Sequence, residues 1–349
     1  MIYENILGYS IYSILVSFIT NFVCIKFNKL VYNPKENHKE KFKEKIIVSG
    51  GLIIFIYINT IYFFFQKSSD LELFYLLTIF IFFIGLFSDL KNLSASLRLL
   101  LISILSVFFI WITKNYILDF KFELINDFLD SNILLAIIFT SICFIILVNG
   151  YNFIDGVHGL TILHTLVTLF LLSYFYYFIL NHKIFLLNLL YLIPILVIVY
   201  YLNIKEKIFL GDSGSYYLAS IIGILIIEQS TMEDYSHPYV YACILIYPAY
   251  EVFFSIFRKI YLKKNPLSPD RMHLHHLLKE FLQISKKLSH QKASIISGII
   301  INILILVFGF ISIHFYQNKY FLIFNIILFS ALYTIFYFIL YKKYKNIEL

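Results

Sequence analysis

Charge is what this chain has least of. Only 14% of its 349 residues are Asp, Glu, Lys or Arg, while 60% are hydrophobic. A soluble domain carries roughly 25% charged residues. A water-soluble globule of this length is therefore excluded, and the chain reads as a polytopic membrane protein. Cysteine is also scarce. Cys24, Cys143 and Cys243 stand far apart inside apolar runs, which excludes a disulfide framework and a cysteine metal site. No low-complexity linker, internal repeat or soluble domain breaks the sequence, so residues 1–349 read as one transmembrane domain. The first apolar run has no small-residue cleavage site after it and is taken as a span, not a signal. The net charge of +7 would suit nucleic acid in a soluble protein. In a membrane chain it speaks first of topology and of contact with anionic headgroups, so no nucleic-acid partner is expected.

What is there in quantity is apolar sequence. At about 20 residues per span, the expectation is an all-α protein of about eleven transmembrane helices, at 5–26, 46–65, 71–87, 97–113, 132–149, 159–180, 184–202, 213–228, 238–257, 293–316 and 320–341. Of the 28 Lys and Arg, 23 fall in 26–45, 88–98, 149–158, 203–212, 258–292 and the tail 342–349, and 5 fall on the opposite side. Positive charge marks the cytoplasmic side. The amino terminus is expected outside and the carboxyl terminus inside. Segment 116–130 suits an amphipathic element on the outer surface.

The polar clusters all fall in the cytoplasmic connections. The second reads GLFSDLKNLSASLRLL, with Asp89 and Arg98. The third, NGYNFIDGVHGL, sets Asn149, Asn152, Asp155 and His158 three residues apart. The fourth, NIKEKIFLGDSGSYYLA, offers Asn203, Lys207 and Asp212. The fifth, NPLSPDRMHLHHLL, offers Asp270, Arg271, His273, His275 and His276. Taken singly, each has a plain reading. GDSGS is an ordinary helix start, and it lacks the strand–turn–helix context of a hydrolase serine. HLHH lacks the spacing of a zinc site. Together they are harder to dismiss. Asp89, Asp155 and Asp212, with Asn152, are oxygen ligands of the type Mg²⁺ prefers, with Mn²⁺ as a substitute. Arg98, Lys207, Arg271 and the histidines suit phosphate oxygens. Oxygen ligands and cations on one membrane face describe phosphoryl transfer, in which catalysis is mostly positioning and charge neutralisation. A soluble phosphorylated donor would there meet a lipid acceptor.

The three strings NGYNFIDGVHGL, KIFLGDSGSYYLA and PDRMHLHH, in that order between spans, resemble the polyprenyl-phosphate N-acetylhexosamine-1-phosphate transferases of glycosyl transferase family 4. PDRMHLHH follows the sugar-transferring branch, since the muramoyl-pentapeptide branch carries three adjacent histidines there. The resemblance implies transfer of HexNAc-1-phosphate from a UDP-N-acetylhexosamine to a polyprenyl (undecaprenyl) phosphate with Mg²⁺. The products are UMP and the polyprenyl-diphospho-sugar that opens cell-envelope polysaccharide synthesis. The place implied is the cytoplasmic face of the bacterial plasma membrane, with room for a homodimer. By position, Asp212 and Asn152 match metal ligands, with Asp89 and Asp155 as further catalytic carboxylates. Arg98, Lys207, Arg271, His273 and His275 match phosphate and lipid-phosphate contacts. Asn149, His158 and Asn203 fall on the nucleotide, and Asp270 and His276 in the loop over the sugar.

Three positions depart from the family pattern. Ser88 replaces the first carboxylate of an Asp-Asp pair, His38 stands far from Gly50 in the first loop, and His158 replaces an Asp or Asn and is expected at the uracil. A phosphomonoester has a second pKa near 6, so the lipid phosphate is mostly a dianion at pH 7 and a strong base at position 88 is not obligatory. The competing expectations are a transporter or flippase for an anionic lipid and an inactive transferase homologue. Transporters place ionisable groups near the bilayer midplane, whereas these lie at span ends.

Overall fold

The computed structural model describes residues 2–32, 46–65, 72–181, 191–232, 238–268 and 270–348. His38 and most of the connection expected at 26–45 lie outside the described residues, as does the start of the span expected at 184–202.

Fourteen α-helices follow one another among the described residues: α1 (Ile2–Lys26), α2 (Gly50–Phe65), α3 (Glu72–Lys91), α4 (Ala95–Thr113), α5 (Glu123–Asp130), α6 (Ile133–Ile154), α7 (Leu160–Tyr174, continued by a π turn to Ile179), α8 (Leu192–Ile204), α9 (Gly211–Met232), α10 (Pro238–Ile244), α11 (Ile246–Tyr261), α12 (Leu274–Ser285), α13 (His290–His314) and α14 (Lys319–Glu348). Their starts follow local chemistry. Ser94, Asn132 and Ser289 cap α4, α6 and α13, each side chain accepting a first-turn backbone N–H, which satisfies a donor that the helix itself leaves open.

Six helices among the described residues are long and apolar enough to cross a membrane, within α1, α4, α6, α7, α13 and α14. The pair α10–α11, bent by 76°, makes a seventh if counted as one span. Eleven spans were expected, and two of the four not counted among the described residues differ locally from the expectation. The span expected at 46–65 opens in extended chain, and its helix starts only at Gly50. That expected at 213–228 is helical, but α9 also takes in the polar turn Gly211–Ser215. Segment 116–130 holds the short helix α5, with Leu124 and Phe128 exposed.

The α9 helix is central, packed along α3 and against α6 and α2. Tyr57, Phe82, Phe144, Tyr151, Tyr216 and Tyr217 fill the core around it. A second apolar cluster joins α12 to α13 and α14, with Leu274, Leu277, Leu278 and Leu282 inward. Their spacing is that of one helical face. Elsewhere large apolar side chains stand exposed, as Ile104 and Trp111 on α4 and Ile335 and Phe338 on α14 do, as lipid-facing surfaces require.

A small β ribbon, unexpected from the sequence, ties the site's backbone together. Val31–Tyr32 pairs antiparallel with Ile46–Ile47. Phe209 N donates to Ile47 O at 2.8 Å, and Gly50 N and Gly51 N donate to Phe209 O and Leu210 O at 3.0 and 2.9 Å. The approach to GDSGS is thereby fixed against the start of α2.

Candidate active site

One cleft of about 650 Å³ gathers residues from all four motif-bearing connections. Its middle is built on Asp212, the second residue of α9. Asp212 Oδ1 accepts from Asn152 Nδ2 of α6 at 2.6 Å. Its Oδ2 accepts from Ser88 Oγ of α3 at 2.6 Å and from Arg98 of α4. Arg98 also donates to Ser88 Oγ at 3.3 Å, and its buried Nε–H has no partner among the described residues.

Asp89 does something its sequence position did not announce. Its Oδ1 accepts from Asp212 N at 2.8 Å, and its Oδ2 accepts from Ser213 N at 3.0 Å and Ser213 Oγ at 2.6 Å. A carboxylate from α3 thus caps α9 from outside, where first-turn N–H groups and the helix dipole both favour negative charge. Gly211 makes this possible. Its φ is +79°, and a Cβ there would lie 2.7 Å from Asp89 Oδ2. Burial first, then the neighbouring Asp212 charge, pushes the Asp89 carboxyl up to about 6, against the pull of those donors.

Asp155 ends α6, and its Oδ1 accepts from Thr161 Oγ1 at 3.1 Å. Burial, with Asp212 and Asp89 nearby, raises its pKa well above the ordinary carboxylate range. Carboxylates crowded to this degree, beside one arginine and an amide, suit a divalent cation with oxygen ligands. On this donor chemistry Asp155, Asp212 and Asn152 fit the Mg²⁺ implied by the family resemblance. Asp89 fits less well, because both its oxygens already serve α9.

The opposite wall comes from Arg271, His276 and Lys279, at and inside the start of α12. The fit of α12 against the Asp155–His158 turn is close, since a Cβ on Gly156 would lie 2.5 Å from both His275 Nε2 and His276 Nε2. Burial, then His275, His273 and Lys279, lowers the His276 pKa far below the usual imidazole value. The buried His275 Nε2 has no hydrogen-bond partner among the described residues.

His158 lines one end of the cleft. Its ring lies parallel to Phe209, with centroids 6.0 Å apart, and its Nε2 is 3.4 Å from Glu206 Oε1. Burial, then Lys279 and His290, pushes the ring down to about 4, so it is neutral at pH 7. His158, Glu206 and His290 hold three ligand-type atoms within 4.8 Å of one another. The charge of Lys279 already acts on all three, which disfavours a metal ion there.

Of the residues singled out in the sequence, Asp89, Arg98, Asn152, Asp155, His158, Asn203, Asp212, Arg271 and His276 line this cleft. The others stand apart from its lining. Asn149 donates to Ile145 O at 2.8 Å within α6. Lys207 is exposed in the α8–α9 turn. Asp270 pairs with Arg258 at 3.0 Å, and His273 and His275 are buried at the start of α12. Asn203 is at the cleft, but its amide serves backbone, accepting from Gly159 N at 2.7 Å and donating to Ile208 O at 3.0 Å. Sequence reasoning passed over Lys279, Glu206, His290 and Glu251. Glu251 is the sole acidic residue of α10 and α11. An acid inside an apolar run was the signal that would have found it.

The comparisons with known proteins agree with this geometry. Residues 71–230, from α3 to α9, match the model of glycosyl transferase family 4. The undecaprenyl-phosphate alpha-N-acetylglucosaminyl 1-phosphate transferase of Thermotoga maritima is 24% identical over 267 residues, which are 76% of this chain and 79% of that protein. The decaprenyl-phosphate N-acetylglucosaminephosphotransferase of Mycolicibacterium smegmatis is 28% identical over 183 residues, 47% of this chain and 43% of its own. The Haemophilus influenzae protein that shares its name with the Thermotoga one is 33% identical over 75 residues, 21% of each chain.

Proposed function

We propose that this protein transfers HexNAc-1-phosphate from a UDP-N-acetylhexosamine to a polyprenyl phosphate at the cytoplasmic face of a bacterial plasma membrane. The amino terminus is outside and the carboxyl terminus inside. One observation carries the reading: a single cleft joins an acidic and amide group (Asp155, Asp212, Asn152), held by Arg98, to a facing cationic wall (Arg271, Lys279), beside helices with lipid-facing surfaces. The family match and the printed names of the relatives support the substrate class.

The chemistry is one phosphoryl transfer. An oxygen of the lipid phosphate attacks the sugar-bearing phosphorus of the donor. A new P–O–P bond forms, the old one breaks, and UMP leaves with the bridging oxygen. At pH 7 the acceptor is mostly a dianion, so no proton need be removed first. Asp155, Asp212 and Asn152 would hold Mg²⁺, which would supply charge neutralisation at the diphosphate. Arg98 holds Asp212 in place and brings positive charge beside it. Arg271 and Lys279 bring positive charge from the facing wall. His158, neutral and flat against Phe209, is the group for the base. The test is release of UMP from UDP-GlcNAc by the purified protein, which should require both undecaprenyl phosphate and Mg²⁺.

A further inference from the structure

Glu251 lies 1% exposed in the interior and is absent from the cleft lining, yet it holds the segment that supplies one cleft wall. Its Oε2 accepts from His273 Nδ1 at 2.8 Å. Its Oε1 accepts from Leu274 N at 3.2 Å and lies 3.7 Å from His275 Nδ1, which Tyr247 Oη meets at 3.1 Å. Leu274 is the first residue of α12, and the side chain of His273 at the N-cap makes no capping bond. The carboxylate of α11 stands where a cap would be, at the positive end of the α12 dipole. A charge buried in an apolar segment is costly unless it is paired and hydrogen-bonded. Glu251 lies beside Tyr247 and Tyr333, and its hydrogen bonds go to His273 and Leu274, between Arg271 on one side and His276 and Lys279 on the other.

There is little slack in this arrangement. The rings of His275 and His276 abut the backbone of Gly156. Any shift of the first turn of α12 must therefore also move the Asp155–His158 turn or lift Arg271, His276 and Lys279 from the cleft. We infer that Glu251 is a positioning residue for nucleotide recognition: through His273 and the Leu274 amide it fixes the α12 groups that bind the diphosphate of a nucleoside-diphosphate ligand. The inference rests on the transferase reading only for the identity of that ligand.

The test uses the full-length chain in detergent, with UDP and Mg²⁺ as the probe by calorimetry, and KM for UDP-GlcNAc and for undecaprenyl phosphate in parallel. Glu251→Gln keeps shape and loses charge. It should weaken UDP about tenfold, the scale of one lost charge-assisted hydrogen bond. It should raise KM for the UDP-sugar by a similar factor and leave KM for the lipid within about twofold. Glu251→Asp, which keeps the charge, should recover part of the loss. If Glu251 acts through His273, the double variant Glu251→Gln/His273→Gln should bind no worse than the weaker single variant. UDP binding by Glu251→Gln within about threefold of wild type, equal rises in both KM values, or losses that multiply in the double variant would each overturn the inference. Should Glu251→Gln fail to fold, His273→Gln carries the same expectation and the same threshold alone. A wild-type chain that binds UDP but transfers no sugar phosphate sinks the transferase reading and leaves the Glu251 test readable. One that binds no UDP overturns both.

Discussion

Asp89 and Ser213, 124 positions apart, are joined twice: the Ser213 hydroxyl and the Ser213 amide both donate to Asp89 Oδ2, at 2.6 and 3.0 Å. The bond pair makes α3 and α9 one unit and sets Asp212 at its place. Asp89 is thus as much a structural group as a chemical one. Replacement by Asn leaves an amide NH₂ facing N–H donors. Asp89→Asn should destabilise the fold by about 1–2 kcal/mol, the scale of a lost cap, and should depress transfer as Asp212 loses its setting. Asp212→Asn should depress transfer while lowering the melting temperature less than Asp89→Asn does, because the bonds it weakens to Ser88, Arg98 and Asn152 are partly offset by relief of carboxylate crowding. Melting curves beside UMP release separate the two. Equal melting of both variants would refute the capping role.

Ser88 already donates to Asp212 and accepts from Arg98. Ser88→Asp puts a second negative charge against Asp212, where like charges resist joint ionisation. In the absence of divalent cation this variant should melt below wild type, and Mg²⁺ should restore more stability to it than to wild type. Turnover at pH 7 should change by less than about tenfold, since the acceptor is mostly a dianion without help. A gain larger than that would show the native site to be compromised by its serine.

The raised Asp155 carboxyl makes cation binding depend on pH. A pKa above the ordinary range means that the folded, metal-free chain keeps a proton on Asp155 at pH values where an unfolded chain has lost it. The stability this contributes is present at low pH and is lost as pH rises through the folded pKa. The buried His158 acts in the opposite sense, its contribution being lost as pH falls below about 6.5, so the melting temperature alone does not isolate Asp155. Mg²⁺ does, because a ligand carboxylate must first give up its proton. The Mg²⁺ concentration giving half-maximal rate should fall as pH rises over the neutral range, and Asp155→Asn should flatten that slope. A half-maximal concentration unchanged across this range contradicts the assignment.

His158 should serve the base rather than the lipid. His158→Ala removes a flat ring held parallel to Phe209, so KM for the UDP-sugar should rise far more than KM for the polyprenyl phosphate. Since burial keeps the ring neutral, activity near pH 6.5 should show no titration that disappears in this variant. Equal rises in the two KM values would take His158 away from the nucleotide.

Much of this was legible in the sequence because its causes are local. Apolar runs gave the helices, Ser94, Asn132 and Ser289 their starts, and polar strings at the span ends the residues of the cleft. What stayed hidden depends on contacts between distant positions. Nothing near Asp89 in sequence says that it will cap α9. Asn203 has the chemistry of a base contact but is held by Gly159 and Ile208. The ribbon at Ile46–Ile47 sits at the edge of an apolar run that also suits a helix. Glu251 was visible as a single acid in a greasy segment, but its partners 22 to 24 residues later were not.

The central claim is most directly tested by following each phosphate of the donor separately. With UDP-GlcNAc labelled at the sugar-bearing phosphorus, the label should pass into undecaprenyl-linked lipid. With the other phosphorus labelled, it should stay in water as UMP. Both transfers should need Mg²⁺ and fall by about two orders of magnitude or more in Asp212→Asn, as removal of a central electrostatic group does. Sugar passing to lipid without its phosphorus, transfer undiminished in Asp212→Asn, or no transfer from any UDP-N-acetylhexosamine would contradict the account.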